Sequence, residues 1–261
     1  MTDTPEPSPE KSGVSRYFSE GRAGVAALVV AIVALIASVA PYVVSGPFDT
    51  RVRTYLLTHP EVLQEVSDAL QTKEDQARVA SIQERADQNP ALLQVDARDP
   101  AFGPANAKVT VVEFFDFRCP GCKATAPEVL RLMQAHPDVR FVFKDWPILD
   151  RGSDGVSHHA ARAALAAHRQ GKYLEVFRAL MAEPSLDEQS INAVLAAHGV
   201  TLDQAHADMA GPDVARHLAD TDTAGRVLQL VGTPTFFVAG KAQASIQPAE
   251  LDRAIRAAKA G

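Results

Sequence analysis

The longest apolar run in the chain covers residues 23–44. It consists of Ala, Val, Leu and Ile, interrupted by one Gly, one Ser, one Pro and one Tyr, with no charged side chain. At ~1.5 Å of rise per residue, a helix of this length reaches ~33 Å, enough to cross a bilayer. The pattern predicts an uncleaved transmembrane anchor over 23–44. The alternative is a cleaved signal peptide, and three features oppose it. The leading segment is long and contains acids, the run exceeds the apolar core of a signal, and Pro41 directly follows the small-x-small site Ser38-Val39-Ala40. Residues 1–22, rich in Pro, Ser, Glu and Thr, read as a disordered cytoplasmic tail.

Ser45-Gly46-Pro47 ends the run, and residues 48–95 read as a helical segment distinct from the rest of the chain. Asp49 is placed to cap a short helix carrying Val52, Tyr55 and Leu56. Thr58 and Glu61 have the spacing of a capping box, with Pro60 between them. Val62, Leu63, Val66 and Leu70 form an apolar stripe, and beyond Gln71 only Ala77, Ala80 and Ile82 continue it. A helix with so little core of its own is marginal alone. The segment is either a stalk or, the sharper reading, a self-association element that builds a homo-oligomer.

The pattern changes near residue 96. Residues 109–115 and 139–143 are runs of β-formers, and 119–135 between them reads as a helix with Pro127 as a kink. Strand, helix, strand implies a parallel unit with a right-handed crossover. Next comes a helical block over about 153–230, divided into 160–168, 173–181, 186–198, 202–209 and 212–230. A strand at 235–238 turns through Ala239-Gly240-Lys241 into a second at 242–246, and 248–260 is a terminal amphipathic helix. The expectation is one α/β domain over 96–261, with a helical insertion between a βαβ half and a ββα half.

The length, 261 residues, fits one or two domains, and 46% hydrophobic with 22% charged residues supports a packed core. A net charge of −6 argues against a nucleic-acid partner. The chain has two cysteines, Cys119 and Cys122, too few for a structural disulfide framework. They fall where the strand ends and the helix begins. The unpaired N–H groups and partial positive charge of a helix N-terminus favour a thiolate, the nucleophile of disulfide exchange. Half a zinc site is the plain alternative, but no second cysteine pair exists, and the adjacent His158 and His159 lack ligand spacing. They read as surface and core of the insertion.

Glu113-x5-Cys119-x-x-Cys122, with Gly232-Thr233-Pro234-Thr235-Phe236-Phe237-Val238 and a helical insertion between, resembles the DsbA-like thiol–disulfide oxidoreductases of the thioredoxin superfamily. The resemblance covers about 96–261. The anchor, the segment from Tyr55 to Leu63 and the helical block resemble the membrane-tethered or oligomeric subset. That subset includes the suppressor-of-copper-sensitivity C type proteins, whose N-terminal helices self-associate. The resemblance implies a thioredoxin-like fold, no organic cofactor and no metal. Cys119, the N-terminal thiol, is expected to be the attacking or attacked sulfur, with Cys122 resolving the mixed disulfide. Thr233-Pro234 forms a cis-proline loop beside them that pairs with an extended substrate chain. Pro120 and Gly121 tune the redox poise; family oxidases commonly carry histidine where this chain has Gly121, a departure that leans towards a milder potential.

Glu113 is either a solvent-facing charge or a buried acid that relays a proton to Cys122, with Lys144 as the partner the family pattern suggests. Asp116, if near, opposes the Cys119 thiolate. The implied partners are exported proteins with cysteines and a membrane redox partner. A disulfide cycle needs an oxidising compartment, which places 96–261 in the periplasm on a single-pass inner-membrane anchor. The charges flanking the run, Lys11, Arg16 and Arg22 before and Arg51 and Arg53 after, do not set the orientation. The combined reading favours disulfide isomerisation or reduction over strong oxidation. Two rivals remain: a Cu(I)-binding thiol chaperone in the periplasm, since two thiolates suit Cu(I), and a cytosol-facing thiol reductase or glutathione-dependent enzyme.

Overall fold

Strand alternation decides the architecture. Five short strands, β1 (Ala101–Phe102), β2 (Thr110–Phe115), β3 (Arg140–Asp145), β4 (Thr235–Val238) and β5 (Lys241–Ala242), form one sheet in the order β1-β3-β2-β4-β5. β2 and β3 are parallel and the other pairs antiparallel. The chain is represented by a computed structural model that describes residues 14–43, 45–150, 152 and 155–261. The two middle strands are buried on both faces, which explains why they read as continuous apolar runs. Val111, Phe115, Phe141 and Phe143 share one face, and Val112, Phe114 and Val142 the other.

The helices are α1 (Val14–Val43), α2 (Ser45–Thr58), α3 (Pro60–Gln88), α4 (Pro120–Ala135), α5 (Val156–Arg169), α6 (Tyr173–Ala182), α7 (Glu188–Ala197), α8 (Leu202–Ala210), α9 (Pro212–Val227) and α10 (Pro248–Ala260). The first face packs against α4 and α10 and the inner parts of the insertion, including Ala163, Phe177, Leu180, Ile191 and Leu195. The alanines of α5 let neighbouring helices approach closely. The second face is covered by Trp146, by Ala224 and Leu228 near the end of α9, and by Ile82 and Ala86 of α3.

Contacts divide the chain into two units, Met1–Gln71 and Thr72–Gly261. The sequence sets a boundary near 96, but Ile82 and Ala86 are buried in the sheet's second core, so 72–95 belong with the α/β domain. The tail expected over 1–22 lies outside the described residues up to 13. From Val14 the chain is already helical, since no proline stands between Pro9 and Pro41 to stop a helix continuing back from the apolar run. The run itself falls on α1, with side chains exposed over 24–39. Among the described residues no helix is long and apolar enough to cross a membrane, and the side chains of 23 and 41–44 lie outside the description.

Three local expectations differ from the structure. Asp49 lies inside α2 rather than capping it. Thr58 does not form a capping box with Glu61; its hydroxyl donates back to the carbonyls of Thr54 and Tyr55 at 2.9 and 3.0 Å. The last hairpin is tighter than 242–246: Ala239 and Gly240 take positive φ (48° and 76°), and β5 ends at Ala242.

Gly225 of α9 lies against the single tryptophan, where an added Cβ would stand 2.5 Å from Trp146 Cε2. Gly225→Ala gains about 1 kcal/mol of helix propensity, but the overpacking of a buried indole outweighs it. The expected result is a net loss of about 1–2 kcal/mol in denaturant unfolding, with a shifted tryptophan emission.

Candidate active site

β2 delivers the chain into a turn whose geometry is fixed by Asp116. Its carboxylate accepts from the N–H of Arg118 (2.7 Å), the N–H of Leu149 (3.0 Å) and the Ser157 hydroxyl (2.9 Å). Its carbonyl accepts from the N–H of Cys119 at 3.0 Å. Whatever its charge does to a Cys119 thiolate, Asp116 has a structural task. Its oxygens are taken up in tying the turn to the segment after β3. Arg118, exposed beside the cysteines, pairs with the buried Asp150 at 2.8 Å.

Cys119 is the N-cap of α4, Pro120 is its first residue, and Cys122 lies one turn in. Pro120 suits that place because the first helical N–H has no partner to lose. Cys119 is nearly covered, at 8% exposed, and Cys122 is wholly buried. Both are free thiols. The Cys122 thiol, the Thr233 side chain and the N–H groups of Cys122 and Gly121 favour the Cys119 thiolate. They outweigh partial burial and bring its pKa down to about 5. Burial, the Cys119 neighbour and the Glu113 charge push the Cys122 thiol upward. The two sulfurs are thus pushed in opposite directions, Cys119 towards the thiolate and Cys122 towards the thiol.

The Thr233-Pro234 bond is cis. It brings the Thr233 carbonyl to 3.0 Å from Cys119 Sγ, which donates to it in the thiol state. An added Cβ at Gly121 would lie 3.2 Å from Pro234 Cδ and 3.7 Å from Cys119 Sγ. Cys119, Gly121, Thr233 and Pro234, 114 residues apart in sequence at the Cys119–Thr233 contact, thus form one surface.

Glu113 is buried, so the solvent-facing alternative does not hold. Neither carboxyl oxygen has a partner. Burial first, then the nearby Asp145, pushes its pKa up to about 8. Lys144 is not its partner. The parallel register sets Lys144 beside Phe114 and Glu113 beside Phe143, so Lys144 points to the opposite face of the sheet. There its Nζ donates to Asp99 Oδ2 at 2.6 Å, a buried ion pair. Sequence reasoning did not single out Asp99, Asp145 or Tyr173. The available signal was Asp145 itself, a carboxylate ending an apolar strand with the same parity as Phe141 and Phe143. It also passed over Lys123, whose Nζ donates to the carbonyls of Leu180 and Glu183 at the end of α6 and joins the active-site helix to the insertion. Among the described residues no cluster of three or more His, Cys, Asp or Glu is placed to hold a metal.

Comparison with known proteins agrees with this geometry. The family model of the DSBA-like thioredoxin domain matches residues 110–256, and that of the copper resistance protein ScsC N-terminal domain matches 48–77. The structure of Salmonella enterica Typhimurium BcfH is 32% identical, with a TM-score of 0.62, covering 85% of this chain and 99% of that one. A thioredoxin-like oxidoreductase from Silicibacter pomeroyi is 37% identical, with a TM-score of 0.58, covering 64% of this chain and 95% of the other. Among curated proteins, Na(+)/H(+) antiporter NhaA 3 of Salinispora tropica is 36% identical over 163 residues, 58% of this chain and 23% of the antiporter. The chain spans about a quarter of the length of the curated relatives it matches.

Proposed function

The chain belongs to the DSBA-like thioredoxin domain family, and from that premise we propose that it is a thiol–disulfide oxidoreductase acting on cysteines of exported proteins. The observation that carries the reading is the pairing of an acidified, slightly exposed Cys119 with a wholly buried Cys122 beside the cis Thr233-Pro234 bond. The Cys119 thiolate attacks a substrate disulfide, one substrate sulfur leaves as thiolate, and a mixed disulfide remains. Either a second substrate thiol attacks and regenerates Cys119, which is shuffling, or Cys122 attacks Cys119 and releases reduced substrate. The backbone of Thr233, next to the reacting sulfur, suits pairing with an extended chain.

Isomerisation or reduction is favoured over strong oxidation. At Gly121 no imidazole adds to the groups that stabilise the thiolate, and isomerisation benefits from several sites on one assembly. The match of 48–77 and the exposed Val52, Tyr55, Leu63, Val66 and Leu70 support a homo-oligomer built through that segment. The uncharged run of 23–44 supports a single-pass inner-membrane anchor, with the cysteines in the periplasm, where a membrane redox partner resets the pair. The test is reactivation of a scrambled-disulfide protein by the full-length chain with a trace of small thiol. Rapid reactivation is expected. Disulfide donation to a reduced protein without reactivation would assign an oxidase instead. Neither activity, with tight Cu(I) binding, would move the function to a thiol metal chaperone.

A further inference from the structure

Four carboxyl groups are buried around β2 and β3: Asp99, Glu113, Asp116 and Asp145. Two have strong donors of their own, although Asp99 Oδ1 has no hydrogen-bond partner. Asp99 holds Lys144, and Asp116 takes two backbone N–H groups and the Ser157 hydroxyl. The other two have one side-chain donor between them. Tyr173 Oη, from α6, donates to Asp145 Oδ2 at 3.0 Å, while Asp145 Oδ1 and both Glu113 oxygens have no partner. The register sets Phe115 beside Asp145 and Glu113 beside Phe143, so the two acids are diagonal neighbours on one face of adjacent strands. Two carboxylates in such a place cannot both stay charged.

We propose that Asp145, held by Tyr173, is a positioning residue for the proton that Cys122 must lose: Glu113 exchanges that proton with Cys122, and Asp145 decides when Glu113 is empty to receive it. This rests on the exchange chemistry proposed above. In the closing step Cys122 gives its proton to the Glu113 carboxylate, and its thiolate attacks Cys119 Sγ of the mixed disulfide. The Cys119–Cys122 bond forms, the bond from Cys119 to substrate sulfur breaks, and the electron pair leaves on that sulfur, which is protonated from solvent. The enzyme dithiol is oxidised and the substrate disulfide reduced, with no further reactant. Tyr173 from α6 bonds Asp145, and the charges that act on it come from Glu113 of β2, Asp116 of the turn and Asp99 of the segment before β1. Burial raises Asp145 well above the ordinary carboxyl range, and the Tyr173 bond opposes that rise. Lys144 lies on the other face, and the His168 ring stands edge-on to Tyr173 at 5.9 Å.

The test tracks the Glu113 carboxyl by carbon-13 NMR in the full-length dithiol protein, with Glu113→Gln to assign the signal. Replacing Asp145 with neutral Asn removes the neighbouring charge, and the Glu113 midpoint is expected to fall by about 1 pH unit. Tyr173→Phe makes Asp145 the better proton holder, which also lowers the midpoint, and it carries the test alone if Asp145→Asn does not fold. The rate of Cys119–Cys122 closure from a preformed mixed disulfide, which rises as Glu113 empties, should move to lower pH by the same amount. An unchanged midpoint in the folded variants, with exchange intact, overturns the inference and leaves the oxidoreductase reading standing. Coupled carboxyls in a protein that exchanges no disulfides overturn that reading instead, and the proton's destination with it.

Discussion

Cys119→Ser loses disulfide exchange by at least ~1000-fold, because a serine hydroxyl is not ionised at neutral pH. Cys122→Ser behaves differently. It keeps the attacking sulfur, forms mixed disulfides with substrate and cannot close them, so covalent adducts accumulate on a non-reducing gel. Iodoacetamide labelling of the parent checks the electrostatics behind this contrast. One thiol is expected to alkylate with a midpoint near pH 5, and the buried Cys122 to stay silent through neutral pH. The sign of the shift sets the linkage. A thiol lowered from its ordinary 9.0 to about 5 stabilises the folded dithiol above the ordinary value, and that stabilisation is lost as pH falls through about 5. The disulfide form has no such group. The stability advantage of the dithiol form should therefore shrink on acidification, measured by denaturant unfolding of both forms.

Lys144→Met is expected to cost about 3–5 kcal/mol in denaturant unfolding at pH 8, the scale for stranding one partner of a buried ion pair. Met fills most of the lysine stem's space, so lost packing is the smaller effect. The larger is the Asp99 carboxylate, whose side chain is fully buried and whose bond to Lys144 Nζ is 2.6 Å. Asp99→Asn in the same protein keeps an acceptor for the Asp96 N–H, now at 2.7 Å from Asp99 Oδ2, and should recover most of the loss. His217 Nε2 lies 3.3 Å from the other Asp99 oxygen, and burial holds its pKa below the ordinary value. A stranded Asp99 favours the protonated ring, so the cost of Lys144→Met should be smaller at pH 5 than at pH 8. Equal costs at both pH values would exclude that compensation. The same variant removes no contact of Glu113, since the two residues lie on opposite faces of the sheet.

That separation shows where the sequence ran out. Chemistry bound to local order was legible. The strand–Cys119-Pro120-Gly121-Cys122–helix order needs only neighbours in sequence, and the helical block gives a clear periodicity. Pairing across strands was not legible. Whether Glu113 meets Lys144 or Asp145 depends on a one-residue parity in the β2–β3 register, and that parity is set by packing partners far along the chain. The polar run after Gln71 conceals its packing for a related reason. Ile82 and Ala86 are too few to declare a buried helix, and their value depends on Phe114, Val142 and Phe237, which offer them a surface. The structural task of Asp116 was equally hidden, because the Leu149 and Ser157 groups its carboxylate accepts from lie more than thirty residues further along the chain.

The tail of α3 has a practical consequence for where this chain can be shortened. A protease or a gene designer guided by composition would cut near 96, at the end of the polar stretch. Such a cut would take away Ile82 and Ala86, and with them the hydrogen bonds of Gln83 to Gly240 and Ala242 at the sheet's edge hairpin. The exposed aromatic floor would invite aggregation. The compact unit that holds the sheet starts at residue 72, so a fragment cut there is expected to show a cooperative denaturant transition that a fragment cut near 96 lacks. The polar helix that looked like a spacer is the lid of the sheet's rear side.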